Sequence, residues 1–248
     1  MRRRDFLQLG LLAGAGALWP ARARAFGEVS LFQPALAKHG GTWDSRTNGL
    51  RRLAWEVSSR TSVEVLPAVR TVSLADRELF KSPFVYLGSE GALPPLTDAE
   101  VANLRRYLTY GGFLLAESND PSRPDFDQSF RRELARVLPQ SELAPVPQEH
   151  VVYKTFYLLD HPSGRVLESP TLEMAKVGKR AAVMYSRNDM AGAWSRDDRG
   201  DWEFDVTPGG ENQREYAIRT GVNLVMYALC LDYKDDAVHL KFIMSRRR

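Results

Sequence analysis

Cysteine and histidine are the scarcest chemically versatile residues in this chain. The single cysteine among 248 residues, Cys230, excludes an intramolecular disulfide. It lies in an apolar helical stretch, where burial in the core is the expected role rather than nucleophilic attack. The four histidines, His39, His150, His161 and His239, are scattered, and no two have metal-ligand spacing. No metal and no cofactor is therefore expected. Past the N-terminal segment there is no run of eighteen apolar residues, so no later membrane span is expected. An excess of one charge is lacking too: 34 Lys and Arg oppose 31 Asp and Glu, a formal +3. The first 25 residues hold five arginines and one aspartate, a net +4, so the remainder is near −1. That balance implies no basic face for nucleic acid. No internal repeat is present.

What is there begins at the N-terminus. Met1-Arg2-Arg3-Arg4-Asp5-Phe6-Leu7-Gln8 precedes an apolar run from Leu9 to Trp19, and Pro20-Ala21-Arg22-Ala23-Arg24-Ala25 follows. A cationic start, a short apolar stretch and small residues two apart have the form of a secretory signal. The paired arginines, followed closely by Phe6 and Leu7, resemble the twin-arginine export signal. Cleavage is expected after Ala25, with Ala23 as the alternative and retention as an anchor the competing reading. Three segments are expected: a signal at 1–25, one domain at 26–236 and a basic tail at 237–248 ending Arg246-Arg247-Arg248. The domain is placed in the periplasm or otherwise outside the cytoplasm.

Within the domain, strand and helix signals alternate. Strands are expected over Val29–Leu36, Val63–Leu66, Pro83–Leu87, Phe113–Ala116 and Ala181–Tyr185. Helices are expected over Asn48–Thr61, from Thr97 to the Gly111-Gly112 stop, over Phe126–Leu138 and over Tyr216–Leu231. Thr97 with Glu100 has the capping-box spacing, and Asp125 with Gln128 resembles a second cap pair. The last helix is apolar almost all round, the pattern of a buried element. Val151–Leu159 is β-prone, either an edge strand or a loop, and Ser186–Gly210 reads as a long polar loop. The alternation implies an α/β fold: three layers, with a mostly parallel sheet and helices on both faces.

Three pieces carry a family likeness: Phe84-Val85-Tyr86-Leu87-Gly88, the helix-to-strand run Leu104-Arg105-Arg106-Tyr107-Leu108-Thr109-Tyr110-Gly111-Gly112-Phe113-Leu114-Leu115, and Tyr185-Ser186-Arg187-Asn188-Asp189. With Phe130-Arg131-Arg132-Glu133-Leu134 they resemble the bacterial domain of unknown function 4159, across nearly all of the mature chain. That resemblance implies a fold similar to the class I glutamine amidotransferases, a flavodoxin-like or Rossmann-like arrangement. It does not imply their chemistry here. Such enzymes place a cysteine on a sharp glycine-flanked turn after a central strand, with a downstream His and carboxylate. In this chain the strand ends Leu115-Ala116-Glu117-Ser118-Asn119-Asp120, without cysteine or glycine, and no His-x-Glu follows. Ser118 stands at a comparable place without the strained turn that would expose a nucleophile.

In open α/β sheets ligands lie beyond the carboxyl ends of the strands. Two polar clusters are expected there: Glu117, Ser118, Asn119 and Asp120, and then Ser186, Arg187, Asn188 and Asp189 with Trp194 following. The candidate ligand-binding residues are Glu117, Asp120, Arg187, Asn188, Asp189 and Trp194. Carboxylates at those positions suit cations or amines, Arg187 suits bidentate capture of a carboxylate or phosphate, and Trp194 suits a pocket wall or sugar stacking. The competing reading is that Arg187 pairs with Glu117 or Asp189 and merely pins the loops. The expected role is a non-catalytic binding or interaction module of the cell envelope, its partner a small molecule, a glycan or an envelope protein. The alternatives are an envelope hydrolase using strand-end carboxylates and a structural subunit of a membrane-associated complex. The export expectation is open to test. Replacing Arg3 and Arg4 by Lys should leave unprocessed precursor in the cytoplasm, and unchanged processing would refute twin-arginine dependence.

Overall fold

The computed structural model describes residues 31–245, with side chains described as far as residue 230. The signal segment, its cleavage site and the three terminal arginines lie outside the described residues. Seven strands form one sheet: β1 (Ala35–Lys38), β2 (Arg70–Ser73), β3 (Phe84–Ser89), β4 (Phe113–Ser118), β5 (Ala144–Pro145), β6 (Glu173–Val177) and β7 (Arg180–Ser186), in the order β2-β1-β3-β4-β7-β6-β5. The strands from β2 through β7 in that order run parallel, whereas β6 and β5 are added antiparallel at one edge. Helices α1 (Thr47–Arg60), α2 (Asp98–Thr109), α3 (Asp125–Val137), α4 (Met190–Trp194) and α5 (Gly210–Ser245) complete the domain.

The central strands read as continuous apolar runs because both of their faces are covered. Alternate residues go to opposite sides. Phe84, Tyr86, Phe113 and Leu115 pack with Leu50, Leu53 and Val57 of α1, with α4 and with α5. Val85, Leu87, Leu114 and Ala116 pack on the other side with Leu104 and Leu108 of α2 and with Phe126 and Phe130 of α3. The three-layer α/β architecture expected from the sequence is therefore present. At the head of α2 the capping box is complete: Thr97 Oγ1 accepts from Glu100 N at 3.3 Å and Glu100 Oε2 accepts from Thr97 N at 2.8 Å. Gly111, at φ 114°, lets the chain turn out of α2 into β4.

Several local expectations change. Val63–Leu66 forms only an isolated bridge, Val65 opposite Phe32, so the first paired strand begins at Ala35. The edge strand instead is β2, a polar segment whose one buried residue is Val72, which periodicity does not reveal. Val151–Lys154 is a turn of 3₁₀ helix, held by Asn223 Nδ2 donating to Val152 O at 3.0 Å. The long loop after β7 contains α4. Asp125 is the first residue of α3 rather than its cap; Pro124 holds the cap position. Helix α5 starts at Gly210 and continues to Ser245, so the stretch expected as a tail is helical up to that residue. Ala228 is buried and Leu229 still packs against the core, but Cys230 is exposed rather than buried. Among the described residues no helix is long and apolar enough to cross a membrane.

Helices α1, α4 and α5 meet through small residues. A Cβ on Gly49 of α1 would stand 2.2 Å from Ala191 O, and one on Gly221 of α5 would stand 2.7 Å from both Leu53 Cδ1 and Trp194 Cζ2. Glycine to alanine inside a helix ordinarily stabilises by about 1 kcal/mol. At Gly49 the sign should reverse, because the obstacle is a backbone carbonyl. Gly49→Ala is expected to destabilise by about 1–3 kcal/mol in urea unfolding, at an unchanged m-value.

Candidate functional site

The sheet itself divides the polar residues that the sequence places together. Strands β4 and β7 pair in parallel, with Glu117 opposite Ser186. Glu117 follows the parity of Phe113 and Leu115 and faces the α1, α4 and α5 layer. One residue further, Ser118 and Arg187 follow the parity of Ala116 and Tyr185 and face the α2 and α3 layer. Glu117 and Arg187 therefore lie at the ends of neighbouring strands on opposite faces. The single crevice expected to hold both does not form; two separate places do.

The first is a cluster of charges with a buried centre. Asp189 is fully buried and adopts φ 49°, with its side chain accepting from Gly192 N at 3.1 Å to cap the short α4. Arg46, just before α1, grips it bidentately, Nε to Oδ1 at 2.8 Å and Nη2 to Oδ2 at 3.0 Å. The same guanidinium reaches Asn119 O at 2.8 Å and Glu90 Oε1 at 3.0 Å and lies 4.3 Å from the centre of the Phe204 ring. Arg165 adds a second ion pair to Asp189 at 2.5 Å. Glu117, likewise fully buried, accepts from the amides of Met190 at 2.6 Å and Ala191 at 2.9 Å and lies 3.1 Å from the Tyr86 hydroxyl. Tyr86 also donates to Asn119 Oδ1 at 2.6 Å. Burial, reinforced by the neighbouring Asp189 carboxylate, pushes the Glu117 pKa up to about 8, with the two amides opposing that rise.

The remaining sequence candidates on this side are also internal supports. Asn188 bonds both backbone groups of Ser169, Oδ1 to its N–H at 2.7 Å and Nδ2 to its carbonyl at 2.8 Å, fixing the loop before β6. Trp194 is fully buried and donates from Nε1 to Ala217 O at 2.8 Å, so it forms core where a pocket wall was expected. Asp120 folds back on its own loop, accepting from Ser122 Oγ at 2.5 Å. Loop pinning does occur, but through Arg46 and Arg165 rather than Arg187. Arg46 could not be anticipated: its carboxylate partner lies 143 residues away, and no local pattern marks the pair.

The second place is open. On the α3 side of the β4 and β7 ends lies a cavity of about 170 Å³, lined by Ser118, Arg123, Pro124, Asp127, Glu168 and Arg187 among others. Pro124 caps α3 and has no side-chain acceptor, so no side chain satisfies the first amides of that helix. The Ser118 residue is 2% exposed, and its hydroxyl has no hydrogen-bond partner among the described residues. Arg187, partly exposed, makes no hydrogen bond or ion pair among them either. Arg123 is paired with Asp125, and Asp127 with Arg131 at 3.0 Å. A larger groove of about 570 Å³, lined by Arg105, Leu138, Lys176 and Gly178 among others, lies at the opposite, amino-terminal end of β7, away from the end where such sheets bind ligands. Of the six residues the sequence proposed, the structure brings one, Arg187, to an open cavity. It adds Ser118, Arg123 and Glu168. Strand register alone was enough to pair Ser118 with Arg187, had the ends of β4 and β7 been placed side by side.

Residues 34–229 match the family model described as Domain of unknown function (DUF4159), and the chain belongs to that family. No curated protein matches the chain.

The cluster with the buried centre has a measurable signature. A carboxyl whose pKa rises from 4.5 unfolded to about 8 folded holds its proton longer in the native state. Its stabilising contribution is complete below about pH 4.5 and is lost as pH rises through about 8, at no more than about 1.4 kcal/mol per pH unit for one proton. Glu117→Gln should remove that slope, so urea unfolding of parent and variant should converge or cross as pH increases across this window. A constant difference between them would show that Glu117 is already ionised at pH 5.

Proposed function

We propose that this chain is an exported, non-catalytic binding module that seats the acidic group of a small ligand at the carboxyl ends of β4 and β7. The observation that carries this reading is the meeting of two residues with unsatisfied groups, Arg187 and Ser118, whose hydroxyl is buried, on one cavity beside a helix start without a side-chain cap. A guanidinium without a protein partner offers a planar fork for a carboxylate or phosphate. The first amides of α3 add donors and the positive end of the helix dipole. Binding is favoured over hydrolysis for a physical reason. Ser118 has no hydrogen-bonded base to take its proton, and the carboxylates Glu117 and Asp189 are closed to solvent and saturated with donors. Export rests on the N-terminal arginines, apolar run and Ala-x-Ala end of the first 25 residues.

The test is a titration of the isotope-labelled full chain with acetate and with inorganic phosphate, followed by amide NMR. Saturable shifts are expected in the 118–127 loop and around residue 187 with at least one of the two anions. They should disappear in Arg187→Gln. Absence of a saturable shift with either anion, or equal shifts in the variant, would overturn the reading.

A further inference from the structure

The charges around the cavity say more than that an acid can bind. Two arginines and two carboxylates line it, which leaves no net charge. Arg123 is taken by Asp125, and Asp127 by Arg131. What remains is one unpaired charge of each sign: Arg187 on the loop after β7, and Glu168, exposed on the segment before β6. They share the cavity without pairing, since no ion pair joins them within 4.0 Å. A simple anion drawn to Arg187 would also meet the Glu168 carboxylate, and a simple cation would meet the guanidinium. A ligand carrying both charges satisfies both residues.

Size narrows the choice. A volume of about 170 Å³ is below the 300–1,000 Å³ range typical of drug-sized ligands. We infer that the cavity takes a small zwitterion, an α-amino acid with little or no side chain. Its carboxylate lies between the Arg187 fork and the start of α3, and its ammonium turns to Glu168. Pro121 and Pro124 supply wall surface. This inference rests on the acid-binding reading above and adds the second charge to it.

The experiment titrates the full chain with alanine, acetate and methylammonium, each as a single probe, by amide NMR. The parent and the variants Glu168→Gln and Arg187→Gln are compared. In the parent, alanine should bind at least about tenfold more tightly than acetate, with methylammonium weakest. Glu168→Gln should bring alanine down to the acetate level while acetate binding persists or strengthens, because a repelling carboxylate has gone. Arg187→Gln should abolish binding of alanine and acetate alike. Both positions are solvent-accessible, and retained amide dispersion in each variant confirms the fold. If acetate equals alanine in the parent, or Glu168→Gln leaves the preference intact, the zwitterion inference falls and the acid seat stands. If neither alanine nor acetate binds, the zwitterion assignment falls, and the seat falls with it unless inorganic phosphate binds; if alanine and acetate both still bind to Arg187→Gln, the assignment and the seat at this cavity fall together.

Discussion

The bidentate contact between Arg46 and Asp189 is the interaction on which the functional end of this molecule depends. One guanidinium holds the carboxylate that caps α4, the backbone carbonyl of Asn119 after β4 and the Glu90 side chain after β3. Three strand ends are thereby tied to the chain entering α1. Its centre is dry, with Arg46 2% exposed and Asp189 fully buried, while Glu90 and Arg165 reach solvent. In such surroundings the charges are valuable only while paired, and removing one partner typically costs about 3–5 kcal/mol. The neighbouring Glu117 adds a second carboxyl to the same low-dielectric space, and its elevated pKa follows from that crowding. What the sequence offered as a ligand site is largely a fastening.

That fastening has a consequence on the other face of the sheet. Because Asn119 and Asp189 are held, Ser118 at the end of β4 and Arg187, just past β7 and two residues before Asp189, stand on anchored backbone. A binding group held by packed elements loses less conformational freedom on capture than one on a mobile loop. The stacked rings of Phe126 and Phe130, 5.6 Å apart and set against Tyr185, seat the start of α3 beside the same strand ends. Buried charge on one side and aromatic packing on the other thus fix the geometry of a small cavity between them.

Much of the framework was legible because its causes are local. The capping box of Thr97 and Glu100, the glycine stop at 111, the apolar spacing of Leu50, Leu53 and Val57 and the continuous run at residues 84–87 each report a short-range rule. The misses share the opposite property. Strand β2 is polar and becomes a strand only by pairing with β1, and the β-prone run from Val151 turns into 3₁₀ helix where Asn223, far along the chain, satisfies its carbonyls. Asp125 carries the composition of a cap, but Pro124 takes the cap position before it. Cys230 belongs to an apolar helix, yet it is exposed, because what covers each side of a helix is set by its tertiary neighbours.

By itself, then, the sequence determined the three-layer α/β architecture, the family likeness and the placement of two polar clusters after β4 and β7, because strand alternation and helix signals act over a few residues. Which members of those clusters meet was decided by tertiary structure alone. A parallel register sets Glu117 against Ser186 and Ser118 next to Arg187, and side chains one residue apart on a strand point to opposite faces. That single-residue offset separates a buried clamp from an open cavity. Asp189, two residues beyond Arg187, leaves the strand pattern through its φ of 49° and caps α4, so Arg46, 143 residues away, closes the clamp on it while Arg187 is left facing the cavity.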